Sequence, residues 1–168
     1  MTKIIQSFPP IANEQAQVLI LGSMPGVQSL AAGQYYAHKQ NAFWKILGDI
    51  VGFSPQTPYA QRLEKLLANR IAVWDVLHSC ERKGSLDSAI ESAIVNDFES
   101  FYAYHPHLQL IGFNGAAAER YYRIHVLPKL KDRDFNYIRL PSTSPAHATL
   151  RYAEKLALWK SALTDLIS

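Results

Sequence analysis

The chain has 168 residues, of which 48% are hydrophobic and 18% are charged, a balance that excludes an intrinsically disordered chain. Seventeen lysines and arginines oppose 14 aspartates and glutamates, and the net charge of +3 favours polyanionic partners without identifying one. Because Cys80 is the only cysteine, an internal disulfide, a thiolate zinc cage and an iron–sulfur cluster are excluded.

We expect a single domain spanning residues 1–168, in the cytoplasm. The length suits one hydrophobic core without cross-links. No apolar run approaches the roughly 18 residues of a membrane-spanning helix, and the amino terminus lacks the pattern of a secretory signal. We therefore expect no membrane partner.

Short apolar strands alternate with amphipathic stretches, which is typical of a parallel sheet with helices on both faces. We predict an α/β fold, a three-layer α/β/α sandwich with a central, mainly parallel four-stranded sheet. In the final predicted helix, an apolar stripe of Leu156, Trp159, Leu163 and Leu166 faces this sheet. In chain order the elements are strand 17–21, helices 43–51 and 59–68, strand 71–74, a helix capped by Asn96 and ending near Tyr104, strand 108–113, a helix within NGAAAERYY, strand 136–140, and a helix from about Ala148.

The first predicted strand leads into GSMPGVQS, residues 22–29, at the sheet edge where ligands bind in open α/β folds. This turn matches neither the dinucleotide-binding nor the P-loop pattern. Tyr35, Tyr36, His38 and Asn41 follow closely. An aromatic face beside fixed amides is suited to holding a nucleobase, although core packing explains tyrosines equally well.

The segment LGSMPGVQSLAAGQYYAHKQNAFWKIL, residues 21–47, resembles the first motif region of the uracil-DNA glycosylase superfamily, particularly its mismatch-specific uracil and thymine glycosylases. Their signature is approximately G-I-N-P-G, a spacer, an aromatic and A-H-P-x-N-R-F-W-K. Met24 stands where those relatives place a water-activating Asn. With YYAHKQNAFW, CERKGSLDSAI, GFNG and STSPAHA, the GSMPG form resembles the hypoxanthine-DNA glycosylase branch, which implies that Asn41 takes over catalysis.

The resemblance implies hydrolysis of the bond between deoxyribose C1′ and a flipped base. Tyr36 would stack on the base, while Asn41 would position the water or cap the following helix. Asn114 would contact a purine oxygen, assist Asn41 or cap the next helix. The remaining substrate-binding candidates are the turn residues Gly22, Ser23 and Met24, together with His38, for which a structural hydrogen bond is the alternative, and Asp75, which either reads the base edge or closes a turn.

The segment PSTSPAHA, residues 141–148, resembles the second motif of the superfamily, a loop that pinches the DNA phosphates and fills the gap left by the base. A helix-initiating turn is the alternative. Basic side chains beside the edge loops either contact phosphates or only add solubility. The DNA-contact candidates are Ser142, Thr143 and Ser144 for phosphates, Pro145 and Ala146 as the wedge, His147 near the base or a phosphate, and Arg82 and Lys83, with Lys39 and Arg151 less specific.

The resulting hypothesis is a monofunctional DNA base-excision repair glycosylase that hydrolyses deoxyinosine with water as nucleophile and leaves an abasic site. We expect no cofactor and no metal, a monomer, and double-stranded DNA containing a deaminated base as partner, with single-stranded DNA left open. Three alternatives remain: a uracil or mismatch-specific glycosylase of the same fold, a noncatalytic DNA-binding module, and a hydrolase of free nucleosides or nucleotides.

Overall fold

Seven strands, six α-helices and two short 3-10 helices, Asp87–Ala89 and Leu127–Lys129, make up the regular elements that the structure describes. The structure is a computed structural model that describes residues 3–131 and 133–167, with side chains as far as residue 164. In chain order the strands and α-helices are β1 (Ile4–Gln6), β2 (Val18–Gly22), α1 (Val27–Ala32), α2 (Phe43–Val51), α3 (Tyr59–Ala68), β3 (Ile71–Asp75), β4 (Leu77–Glu81), β5 (Glu91–Val95), α4 (Phe98–Tyr104), β6 (Leu110–Asn114), α5 (Ala116–His125), β7 (Asn136–Leu140) and α6 (Tyr152–Ile167).

The central sheet has four parallel strands in the order β3-β2-β6-β7. Strand β2 lies in the middle, with Val18 opposite Ile71 of β3 and Leu110 of β6. All residues of β2 and β3 are buried, which explains why both strands appear in the sequence as continuous apolar runs. The predicted four-stranded parallel sheet is confirmed.

Two separate hydrophobic clusters cover the two faces of this sheet. Successive strand residues point to opposite faces, so Leu19 belongs to one cluster and Ile20 to the other. Helices α4 and α5 supply the first cluster, and α2, α3 and α6 supply the second. The molecule is therefore the predicted α/β/α sandwich. Trp159 and Leu163 of the predicted stripe are fully buried and Leu156 is half-buried, whereas the side chain of Leu166 lies outside the described residues.

A second, antiparallel sheet of order β1-β4-β5 adjoins the sandwich and was not predicted. Its β5 strand is largely exposed, and the β4–β5 pairing contains register shifts. Because neither strand shows a clean alternation of apolar and polar residues, hydrophobic periodicity gives little signal here.

Two helix starts differ from the prediction. The cap of α4 is Asp97, whose side chain accepts from Ser100 N, whereas Asn96 donates to the backbone oxygens of Asp75 and Leu77. Helix α6 begins at Tyr152 and not near Ala148. The Glu154 carboxylate accepts from the Arg151 N–H just before the helix and so stabilises this start. The side chain of Ala148, near the predicted start, has no hydrogen-bonding group that could cap a helix.

Among the residues described, no helix is long and apolar enough to span a membrane.

Candidate active site

The carboxyl ends of the parallel strands meet at a cavity of about 380 Å³, within the usual range for small-molecule sites. Strands β2, β3 and β6 bring Gly22, Asp75 and Asn114 to this edge. The loop after β7 closes another side. The predicted site residues that line the cavity are Gly22, Ser23, Met24, Tyr36, His38, Asn41, Asp75, Asn114, Ser142, Thr143, Ser144, Pro145 and Ala146.

Gly22 allows two polar side chains to approach the end of β2 closely. A Cβ at this position would stand 2.5 Å from Asp75 Oδ1 and 2.8 Å from the Tyr36 hydroxyl oxygen. A Cβ atom essentially never comes within 3.0 Å of another heavy atom, so only glycine fits here without moving its neighbours. The first glycine of the turn is therefore required by the site itself.

Tyr36 has a backbone φ of 54°, in the left-handed region that non-glycine residues seldom adopt. Its ring stacks on Phe43 with centroids 4.0 Å apart, and its buried hydroxyl has no partner among the described residues. Burial, and then the Asp75 charge, raise the pKa of this phenol, which therefore stays protonated. Tyr36 presents a neutral aromatic wall to the cavity.

Tyr35, in contrast, has a structural role. Its hydroxyl donates to Pro9 O at 2.8 Å, and its own carbonyl accepts from Trp44 Nε1 at 2.8 Å. The side chain is nearly fully buried in the core cluster that contains α2. These bonds fix the segment that places Tyr36.

Asn41 combines a helix-initiating contact with a position on the cavity wall. Its Oδ1 accepts from the N–H of Phe43, the first residue of α2, at 2.9 Å. No bond from its Nδ2 is found within the described chain, so the amide hydrogens and the second lone pair of Oδ1 remain for a ligand. The N-cap residue of α2 is Ala42, so Asn41 is not the cap itself but supports the helix start from the position before it, and this geometry leaves the predicted substrate contact open. His38 shapes the same turn, because Nδ1 accepts from Gln40 N and its carbonyl accepts from Asn41 N.

Asn114 binds the loop after β7 and does not cap α5. Its Nδ2 donates to Thr143 Oγ1 at 2.9 Å, and its Oδ1 accepts from Thr143 N at 3.0 Å. The N-cap of α5 is Gly115, which makes no side-chain cap bond, so the capping alternative for Asn114 is wrong. Thr143 is 1% exposed, and its carbonyl accepts from Ala42 N at 3.0 Å. Thr143 thus joins the two motif regions.

Asp75 is a buried carboxyl at the end of β3, only 3% exposed. Its Oδ2 has no hydrogen-bond partner in the part of the chain that the structure describes. Burial raises the pKa of Asp75 to about 7, helped by the nearby Asp87 carboxylate and opposed by Arg82. A carboxyl of this kind exists in both protonation states near neutral pH.

The comparisons with known proteins agree with this arrangement. The model of the uracil DNA glycosylase superfamily matches residues 9–166. The chain belongs to this superfamily. It is 41% identical to the hypoxanthine DNA glycosylase of Methanosarcina barkeri over 69% of this chain and 74% of the relative, and 37% identical to that of Methanosarcina acetivorans over 86% and 89%. The solution NMR structure of a candidate uracil DNA glycosylase from M. acetivorans superposes with a TM-score of 0.83, at 32% identity, covering 98% of this chain and 99% of that one.

This uracil DNA glycosylase superfamily member is a DNA glycosylase, and DNA is its substrate class. Met24 is 8% exposed and contributes to both the core and the cavity wall. A thioether is only a weak hydrogen-bond acceptor, so this position supplies shape and not water activation.

Five DNA-contact candidates do not line the cavity of this glycosylase: Arg82, Lys83, His147 and the less specific Lys39 and Arg151, of which the last two are exposed. Arg82 is 5% exposed, and its guanidinium donates to Pro25 O and Gly84 O. The expectation that Arg82 meets DNA phosphates is therefore corrected: it connects the glycine-rich turn to the loop after β4. Lys83 is exposed. His147 is exposed too, and its carbonyl accepts from the buried Lys155 Nζ at 2.6 Å.

The loop after β4 supplies cavity residues that lie within the segment CERKGSLDSAI but were not predicted individually as site residues. Ser85, Leu86 and Asp87 line the cavity. Ser85 Oγ accepts from Val27 N at 2.8 Å, and Asp87 Oδ1 accepts from Ser23 Oγ at 2.5 Å. The Gly-Ser pair at 84–85 marks a turn in the sequence, but nothing local indicates that this turn folds back onto the first motif.

Proposed function

We propose that this chain hydrolyses the N-glycosidic bond of deoxyinosine in double-stranded DNA, releasing hypoxanthine and leaving an abasic site. The observation that carries the proposal is a cavity at the sheet edge in which Asn41, and not residue 24, offers an amide. Two relatives named hypoxanthine DNA glycosylase, 41% and 37% identical, support the same substrate.

The proposed reaction needs water to be held against C1′ while positive charge develops on the sugar and negative charge on the base. Asn41 polarises and orients the water, because an amide positions a nucleophile without ionising. The structural connection from Asn114 through Thr143 to Ala42 supports its placement. In this mechanism Asn114 is chiefly a positioning residue.

The flipped base would lie against Tyr36, and ring stacking contributes about 1–3 kcal/mol per base. Flipping a base out of the duplex costs a few kcal/mol of stacking and pairing energy, and this cost is lowest for weakly paired lesions such as hypoxanthine. We propose that Ser142, Thr143 and Ser144 contact the flanking phosphates, Pro145 and Ala146 fill the gap in the duplex, and Lys83 adds a phosphate contact. The proposed active species is a monomer without a cofactor.

The proposal is tested by abasic-site cleavage on otherwise identical duplexes carrying one deoxyinosine, one uracil or one xanthine. We expect fastest release from deoxyinosine. Preferential release from uracil would favour the pyrimidine-specific alternative of the same fold. Salt-sensitive binding without release from any duplex would identify a noncatalytic module, and equally fast cleavage of free deoxyinosine would indicate a nucleoside hydrolase.

A further inference from the structure

Asp75 places a carboxyl oxygen on the cavity wall that makes no hydrogen bond with the described chain. Asp75 is only 3% exposed, it lines the cavity, and its Oδ2 has no partner among the described residues. Buried polar atoms are almost always hydrogen-bonded, so an unpaired one on a cavity wall indicates a ligand. The main chain of Asp75 is already satisfied, because Asn96 Nδ2 donates to its carbonyl at 2.8 Å.

The charged and titratable groups around Asp75 favour its neutral form. Asp87 from the loop after β4 contributes a nearby negative charge, while Tyr35 and Tyr36 are buried phenols with raised pKa values. Arg82 is the one cation found to oppose this effect, and its guanidinium is bonded to backbone carbonyls and makes no ion pair with Asp75 in the described chain. Burial acts in the same direction as Asp87, and the resulting pKa of Asp75 is about 7.

Resting on the proposed function, we infer that Asp75 acts as a general acid that donates its proton to N7 of the departing purine. As the bond between C1′ and N9 breaks, its electron pair passes into the purine ring and N7 takes the Asp75 proton. The water oxygen bonds to C1′ and releases one proton to solvent, and the Asp75 carboxylate later takes one proton back. The balance is deoxyinosine plus water giving an abasic site plus neutral hypoxanthine.

The acid also specifies a substrate class. A purine leaves through N9 and carries a second basic ring nitrogen, N7, whereas uracil leaves through N1 and its other ring nitrogen, N3, already carries a proton. A neutral carboxylic acid in an apolar site is an established device for donating a hydrogen bond at neutral pH. Asp75 therefore assists purine release and gives no comparable help to uracil.

The test is single-turnover release of hypoxanthine from a deoxyinosine duplex between about pH 5.5 and pH 9. We expect the wild-type rate to be level below about pH 7 and to fall about tenfold per pH unit above it, as Asp75 ionises. Asp75→Asn should reduce the plateau rate about 10²-fold or more, with a flat profile. Asp87→Asn removes the neighbouring negative charge and should move the alkaline fall to lower pH.

A 7-deazadeoxyinosine duplex gives a second comparison, because it lacks N7. The ratio of the deoxyinosine rate to the 7-deaza rate should be large for the wild type and should shrink in Asp75→Asn. Binding of a non-cleavable 2′-fluoro deoxyinosine duplex should change less than about threefold, which separates proton donation from substrate positioning. Thermal unfolding checks that each variant is folded.

Near-wild-type release by folded Asp75→Asn, an unmoved pH profile in Asp87→Asn, or an unchanged deaza ratio would each overturn the acid assignment while leaving the glycosylase proposal intact. If the wild type releases no hypoxanthine from any duplex, the proposed function itself fails. The two failures are thus distinguished by the wild-type control.

Discussion

Asp75 is a residue at which burial without a partner makes the folded state sensitive to pH. Its pKa is raised from 3.8 to about 7, so the folded chain binds this proton more tightly than the unfolded chain does. The contribution of Asp75 to stability is therefore lost as pH rises from about 4 to about 7, and it stays low above that range.

Asp75→Asn should consequently be more stable than the wild type at alkaline pH. The ionisation penalty it removes is at most about 4 kcal/mol at pH 8 and vanishes near pH 4, where both proteins carry a neutral side chain. Urea unfolding at several pH values measures the difference. A difference in the free energy of unfolding that does not grow with pH would show that Asp75 is not the titrating group.

Two substitutions can separate the observed helix contact of Asn41 from its proposed role in catalysis. Asn41→Ala removes the acceptor for Phe43 N–H and should destabilise the protein by about 1 kcal/mol, while reducing deoxyinosine release about 10²-fold or more. Asn41→Asp keeps an oxygen for the helix and should retain stability, yet lose comparable activity. If Asn41→Asp released hypoxanthine at the wild-type rate, the amide would not be needed for catalysis.

At the scale of elements, the loop after β7 depends on one threonine. Thr143→Val removes the hydroxyl that accepts from the half-buried Asn114 Nδ2, and loss of this hydrogen bond should cost about 0.5–1.5 kcal/mol. We expect lower stability together with slower release, because the loop loses its fixed position. Thr143→Ser retains the hydroxyl and is the matched control. Equal behaviour of the two variants in urea unfolding and release assays would contradict this role.

The elements that could be predicted from sequence are those with a strong local pattern. Continuous apolar runs predict the bounds of strands β2 and β3 closely. Amphipathic stripes do the same for helices α2 and α3. Strands β4 and β5 mix exposed and buried residues irregularly, so their pairing depends on tertiary contacts that no short window contains.

The same distinction applies to the site. The strand ends and motif segments place most cavity residues correctly, because parallel strands must bring their carboxyl ends together. Asp87 was missed and Arg82 misassigned, since both depend on a fold-back of the loop after β4 onto the first motif. The bond from Asn114 to Thr143 likewise joins residues 29 positions apart and has no local signature.

At the scale of the whole molecule, the net charge of +3 is too small to identify a DNA-binding face, so individual cations must be tested. Lys83 is exposed in the loop that helps line the cavity, whereas Lys65 lies in the last turn of α3, just before β3 begins at the opposite sheet edge.

We expect DNA affinity to fall with salt, and Lys83→Ala to reduce the slope of log affinity against log salt by about 1. Lys65→Ala should leave the slope unchanged. Both substitutions are measured in the Asn41→Ala background so that the duplex stays intact. Equal slopes for the two variants would place the phosphate contacts elsewhere.

The contacts of Thr143 link segments made at very different times during synthesis. Its carbonyl binds Ala42 near the start of the chain, and its amide binds Asn114 at the end of β6. Until Thr143 has emerged from the ribosome, Ala42 N and Asn114 Oδ1 lack these partners. The cavity wall formed by the loop after β7 can therefore appear only once residues 142–146 have been made, and we expect chains that end before this loop to release no hypoxanthine.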